Sequence, residues 1–246
     1  MWEQHLPKRR LGNLSPLPLI ENSAYEFYRM APERVMQIYV SVGLEKFSAA
    51  DVNRVFKPVE KMTKQLVARG CDIIIQGGGP LPILIGTKAH DRLMNKIAKV
   101  SGTPVTSSVT AVCRAAAHLK LKKIAVANKW STKMNDCLGE FFAREGVDMI
   151  GVSSLPMTPD KFPDLTTKGG MDLAYKLGKR ALKENPNCDG LYIGGGAWLV
   201  YPVTLFLERE FGIPCISNHD ATLWDALKKV NYWKPMKGQN KILRSK

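Results

Sequence analysis

Two glycine runs in matching surroundings carry the clearest chemical signal in this chain. They are Cys71-Asp72-Ile73-Ile74-Ile75-Gln76-Gly77-Gly78-Gly79 and Cys188-Asp189-Gly190-Leu191-Tyr192-Ile193-Gly194-Gly195-Gly196, offset by 117 positions, 71 against 188. In each, a short apolar run typical of a buried strand leads into three glycines. Glycine allows a sharp turn and a close approach of ligand to backbone. Free amides at a following helix start favour an anion. Two such loops facing each other suit a substrate with two carboxylates, or with one carboxylate and a developing oxyanion. The plainer alternative is that the glycines only make tight turns. Neither Gly77-Gly78-Gly79-Pro80 nor Gly194-Gly195-Gly196-Ala197 has the later glycine and lysine of a phosphate-binding loop, nor the spacing of a dinucleotide fingerprint.

Further candidates stand near other strand ends. Pro16 follows the first apolar run, with Glu21 and Glu26 downstream as candidate bases; as residues of a solvated helix they would have no such role. Asn128, Lys129 and Trp130 follow the run Ile124–Ala127. Lys129 would attract a carboxylate, unless it is an ordinary surface lysine. Trp130 and Trp198 would wall an aromatic or apolar pocket, unless they pack in the core. Ser107, Ser108, Asn218 and His219 follow or end the last strand of each half. His219 is the candidate acid or base, although a lone histidine often has only a structural role. His90 and His118 fall in helical segments and are weaker candidates.

The elements that must position these residues repeat as well. Thr106-Ser107-Ser108 with Ala111 parallels Ile216-Ser217-Asn218 with Ala221 at an offset of 110, and Glu26-Phe27-Tyr28 parallels Glu140-Phe141-Phe142 at 114. Pairs in the same order imply a duplicated chain. Strands are expected near 11–15, 35–41, 72–76 and 104–107, then near 122–127, 148–153, 190–193 and 213–217. Amphipathic stretches such as Asp51 to Arg69 and Met171 to Lys183 lie between them. Short buried strands alternating with helices predict parallel sheets covered on both faces. The expected fold is therefore α/β: two pseudo-symmetric Rossmann-like halves, residues 1–113 and 114–230, with the site in the cleft between them. Residues 231–246 read as a loose basic C-terminal tail. Ligands of such sheets bind beyond the carboxyl ends of the strands, where both glycine runs fall.

Composition narrows the function. The 36 Lys and Arg outnumber the 22 Asp and Glu, for a formal charge of +14. The basic residues are dispersed and do not interleave with aromatics, so a solvated surface and an anionic substrate are expected rather than specific nucleic-acid recognition. The five cysteines form no CxxC or Cys/His cluster, which suggests neither a disulfide framework nor a zinc site. No apolar run approaches the roughly 20 residues that span a bilayer. Met1 to Arg10 lacks the apolar segment of a secretory signal. A cytoplasmic protein acting on a small carboxylate, without membrane partners, is the expectation; the oligomeric state is left open.

The duplicated plan, the paired strand-end loops and the closing segment Pro214 to Leu227, with Ile216-Ser217-Asn218 and Ala221-Thr222-Leu223-Trp224-Asp225-Ala226-Leu227, resemble the aspartate/glutamate racemase superfamily. The nearest likeness is to its arylmalonate decarboxylase and maleate isomerase branch, over roughly residues 8 to 228. The resemblance implies cofactor-independent chemistry on a carboxylic acid, with loop donors binding carboxylates and loop thiols as bases, nucleophiles or proton donors. It also implies that Trp130 takes the place of an aromatic residue, usually tyrosine. The chain departs from the pattern where thiols are expected, because Gly77–Gly79 and Gly194–Gly196 contain no cysteine. Cys71 and Cys188 begin strands, Cys113 and Cys137 read as helical, and Cys215 lies within the last strand. Two-thiol racemisation is therefore not expected. A decarboxylase that stabilises an enolate-like intermediate on backbone donors is the leading expectation, with His219, Lys129, a glutamate such as Glu21, or water supplying the proton. An isomerase or racemase using other acid and base groups is the alternative, and a non-catalytic carboxylate-binding protein the third.

Overall fold

The computed structural model describes residues 2–19 and 21–246, without the side chain of Glu21. Strands β1 (Arg9–Ser15), β2 (Val35–Ser41), β3 (Ile73–Gln76) and β4 (Val105–Ser107) form one sheet in the order β2-β1-β3-β4. Strands β5 (Lys123–Asn128), β6 (Asp148–Ser154), β7 (Gly190–Ile193) and β8 (Cys215–Ser217) form a second in the equivalent order β6-β5-β7-β8. Every pairing is parallel. The central strands are apolar and fully buried, as both-face coverage demands: Ile73, Ile74 and Ile75 in one sheet, Leu191, Tyr192 and Ile193 in the other. The expected α/β architecture and strand positions are those observed.

Helices α1 (Glu21–Met30), α2 (Ala49–Phe56), α3 (Val59–Ala68), α4 (Pro80–Ser101) and α5 (Ser108–His118) accompany the first sheet. The second has α6 (Thr132–Ala143), α7 (Thr167–Glu184), α8 (Tyr201–Phe211), α9 (Asn218–Lys229) and the short α10 (Lys241–Arg244). The stretch from Asp51 to Arg69 is two helices rather than one. Ser48 caps α2, and Pro58, which has no amide hydrogen to continue the ladder, stands between α2 and α3.

One apolar cluster runs through both halves, joining Leu11, Ile73 and Val109 to Ile124, Tyr192 and Ile216. Helices α5 and α9 contribute small residues to it, among them Ala115, Ala116, Ala221 and Ala226. The Arg114 guanidinium forks onto the Asp225 carboxylate, Nε to Oδ1 at 2.9 Å and Nη2 to Oδ2 at 2.7 Å. A division at residue 113 would fall within α5.

The end of the chain is not loose. Ile242 and Leu243 are buried, and Asn240 donates to the Cys215 carbonyl at 3.0 Å and to Asp220 Oδ2 at 2.7 Å. The lysines of this segment mark it as polar, but two apolar side chains and one asparagine are enough to dock it. Among the described residues, no helix is long and apolar enough to cross a membrane.

Candidate active site

The carboxyl ends of both sheets open onto one cavity of about 60 Å³. At roughly 10–15 Å³ per water-sized sphere, it has room for a small organic acid. Pro16, Gly77 and Gly78 line it from the first half; Lys129, Trp130, Gly195, Gly196 and His219 line it from the second. All eight are among the residues expected at the site from sequence.

The glycines there do more to admit side chains than to hold out free amides. A Cβ on Gly79 would lie 2.7 Å from Trp130 Cη2, and one on Gly194 would lie 2.9 Å from the same atom. The two loops thus seat the edge of one indole between them. A Cβ on Gly196 would approach His219 Nε2 to 3.1 Å. Positive φ is required at Gly78 (72°) and Gly195 (112°).

Most of the expected free donors are already engaged. The Gly77 amide donates to the Leu14 carbonyl at 2.9 Å and that of Gly194 to Ala127 at 2.8 Å. Gly78 donates to Ser108 Oγ at 3.1 Å, and Gly195 to Asn218 Oδ1 at 2.7 Å. The helix starts also differ from expectation. α4 opens Pro80-Leu81-Pro82, so two of its first three residues have no amide hydrogen. The amides of Val200 and Tyr201, at the start of α8, both donate to Glu26 Oε1 at 2.6 Å. Glu26 is buried rather than solvated, and it occupies the anion position at that helix start.

The other Glu26 oxygen, Oε2, is bonded to His219 Nδ1. On the far side of the ring, His219 Nε2 lies 3.0 Å from Ser23 Oγ, which also lines the cavity. Ser23 and Glu26 are three apart on α1 and so share a face; His219 reaches them from the first turn of α9. Burial pushes the His219 pKa down, but the charge and hydrogen bond of Glu26 outweigh it and leave it above the ordinary histidine value. Glu26 therefore favours the proton-carrying form of the ring.

Asn218 precedes His219. Its Oδ1 accepts from Tyr192 Oη at 2.8 Å as well as from Gly195. Two donors on one oxygen fix which end of the amide is which. Nδ2 is left buried, makes no hydrogen bond among the described residues, and belongs to a residue lining the cavity.

Lys129 is 1% exposed, and its Nζ has no hydrogen-bond partner among the described residues. Nζ lies 4.4 Å from the centre of the Trp198 ring and 4.5 Å from that of Phe162. Phe162 belongs to a 3-10 turn, Pro159–Asp164, that closes over this part of the cavity. Burial pushes the amine pKa down to about 7.

Four expected residues stand back from the cavity: Gly79 and Gly194, which seat Trp130, and Asn128 and Trp198. Asn128 is fully buried and holds the loop, its Oδ1 accepting from the Trp130 amide at 3.0 Å and its Nδ2 donating to Asn135 Oδ1 at 2.6 Å. Trp198 walls Lys129, and its Nε1 donates to the Gly194 carbonyl at 3.2 Å. The Glu21 side chain lies outside the described residues. Ser23 and Phe162 were missed: a serine near a helix start and a phenylalanine in an irregular turn give no periodic signal. No cysteine lines the cavity, and burial raises the pKa of all five thiols. Among the described residues, no group of three or more His, Cys, Asp or Glu side chains could hold a metal ion.

Comparison with known proteins bears on the fold and the family. Residues 25–243 match the family model described as arylmalonate decarboxylase. The arylmalonate decarboxylase of Bordetella bronchiseptica is 25% identical over 188 residues, 76% of this chain and 77% of that protein. A liganded double mutant of arylmalonate decarboxylase superposes with a TM-score of 0.84 at 22% identity, covering 96% of this chain and 98% of the other. A maleate isomerase mutant from Pseudomonas putida, solved with maleate, gives a TM-score of 0.84 at 15% identity over 96% and 97% of the two chains.

Proposed function

The chain belongs to the arylmalonate decarboxylase family, and from that premise we propose that it is a lyase that releases carbon dioxide from a small carboxylic or dicarboxylic acid using its own side chains. The observation that carries this reading is His219, hydrogen-bonded to buried Glu26, which favours its protonated form, and facing a cavity also lined by Asn218, whose Nδ2 has no partner among the described residues. Asn218 Nδ2 holds a carboxylate or the enolate-like oxygen that develops as carbon dioxide leaves. A buried donor aimed at such an oxygen contributes typically 10²–10³-fold in rate. Apolar walls from Trp130 and Phe27 favour loss of the departing carboxylate by reducing its hydration. His219 Nε2, beside Gly196, then donates a proton to the carbanionic carbon, directly or through Ser23 Oγ. The family's loop thiol is thus replaced by an imidazole supplied from the next strand end.

The test is incubation with aryl- and alkenyl-malonates, maleate and 3-oxo acids without added cofactor, following carbon dioxide and product by NMR. Carbon dioxide with a protonated product is the expected result. A rearranged acid without carbon dioxide would replace the lyase reading with an isomerase. Ligand-induced thermal shifts with no turnover of any acid would replace it with a binding protein.

A further inference from the structure

Lys129 has no task in the protonation step, and its setting is unusual for a lysine. Its amine is buried in the cavity wall, without a hydrogen-bond partner among the described residues, with Phe162 and Trp198 on its flanks. Among the described residues it forms no salt bridge and no hydrogen bond, and aromatic faces lie 4.4 and 4.5 Å from it. A lysine that only anchored an anion would gain from protein acceptors sharing its remaining hydrogens. A buried amine flanked by aromatic faces and free of acceptors among the described residues is instead suited to act as a nucleophile.

We propose that Lys129 forms an imine with a ketone carbonyl, so that the acids processed at this site include 3-oxo carboxylates. The proposal rests on the lyase reading and deepens it by naming a substrate class. Nζ adds to the carbonyl carbon, and loss of water leaves a protonated imine, a cation. The bond from the adjacent carbon to the carboxylate then breaks. Its electron pair moves into the iminium to give a neutral enamine, and carbon dioxide departs. His219 protonates the enamine carbon and restores the iminium. Water hydrolyses it, releasing a ketone and the free amine, so the sum is one oxo acid and one proton converted to ketone and carbon dioxide. The carboxylate must lie one carbon from the carbonyl, since only then can the iminium accept the electrons. This requirement selects 3-oxo over 2-oxo acids.

Two further features favour the step. Burial leaves a large share of Lys129 unprotonated at neutral pH. The ring faces at 4.4 and 4.5 Å stabilise the iminium that forms from it. Lys129 and His219 are displaced in opposite directions, the amine towards its free base and the imidazole towards its acid. Such divergence within one cavity assigns nucleophile and acid.

The experiment is reduction with sodium borohydride during incubation of the intact protein with acetoacetate or benzoylacetate, followed by peptide mass spectrometry. The expected result with acetoacetate is an isopropyl group on Lys129, with irreversible loss of activity. Lys129→Arg, which keeps the charge, should lose the adduct and at least about 100-fold of 3-oxo acid turnover. His219→Ala should still be trapped while turning over slowly. Carbon dioxide release from 3-oxo acids without an adduct at Lys129, or equal labelling of Lys129→Arg, would overturn the imine. Turnover of malonates alone, with no adduct from either oxo acid, would keep the lyase and reject the imine. An adduct at Lys129 with no carbon dioxide from any acid would do the reverse.

Discussion

Within Asn218, one amide divides its work between holding the fold and binding a ligand. Oδ1 anchors Tyr192 and Gly195, while Nδ2 is the free donor. Asn218→Asp keeps an acceptor for the structural bonds and replaces the donor with a negative charge. Activity on carboxylates should fall by about 10²-fold or more, with circular dichroism unchanged; an unaltered kcat/KM would remove Asn218 from the site. Glu26→Gln tests the neighbouring pair. In the wild type, His219 must carry a proton, so kcat should fall as pH rises through its elevated pKa. Without the Glu26 charge, only the smaller contribution of Asp220 opposes burial, and the fall should move to lower pH. The stability arising from the raised pKa should be fully present below about pH 6.5 and lost as pH rises through the folded value. Chemical denaturation at several pH values should show this loss in the wild type and not in Glu26→Gln. His219 could be picked out from sequence because it follows a strand end. Its partner could not: Glu26 lies 193 positions away, and nothing local distinguishes a buried helix glutamate from a solvated one.

At the scale of elements, the start of α9 determines where Asn218 and His219 point. Ser217 accepts from the Asp220 amide, and Asp220 returns a bond to the Ser217 amide, a reciprocal cap. Ser217→Ala should cost about 1 kcal/mol, lowering Tm by roughly 2–4 °C, and should lower kcat more than this stability loss accounts for, because the first turn carries the acid. A drop in Tm with kinetics intact would mean that packing alone holds the turn. The strands were legible because apolar runs such as Ile73 to Ile75 suit a buried parallel sheet. The starts of α4 and α8 were harder to read. Pro80 and Pro82 remove donors from one, and Glu26 takes up those of the other from a distant helix, so the expectation of two open anion nests failed on both sides. The glycine runs were correctly placed, but much of their role is to admit Trp130 and His219.

For the whole molecule, the end of the chain is part of the structure that holds the acid. Asn240 reaches Asp220, next to His219, and Ile242 and Leu243 are buried against the core. Removing residues 231–246 forfeits about 1.5–3 kcal/mol for each of those two side chains. The truncated protein should be markedly less stable in thermal and urea unfolding, and wild-type stability would contradict the docked arrangement. Duplication was legible as repeated motifs, and it accounts for the matching order of the two sheets. It does not extend to the reactive groups. At the offset of 110 that relates the last strands, His219 corresponds to Val109, a buried residue with no proton to give. A planar carbanion in the cleft would therefore be protonated from one side only. With a prochiral disubstituted malonate in deuterium oxide, the label should enter one face and a single mirror-image acid should form. That acid, returned to the protein, should keep its handedness.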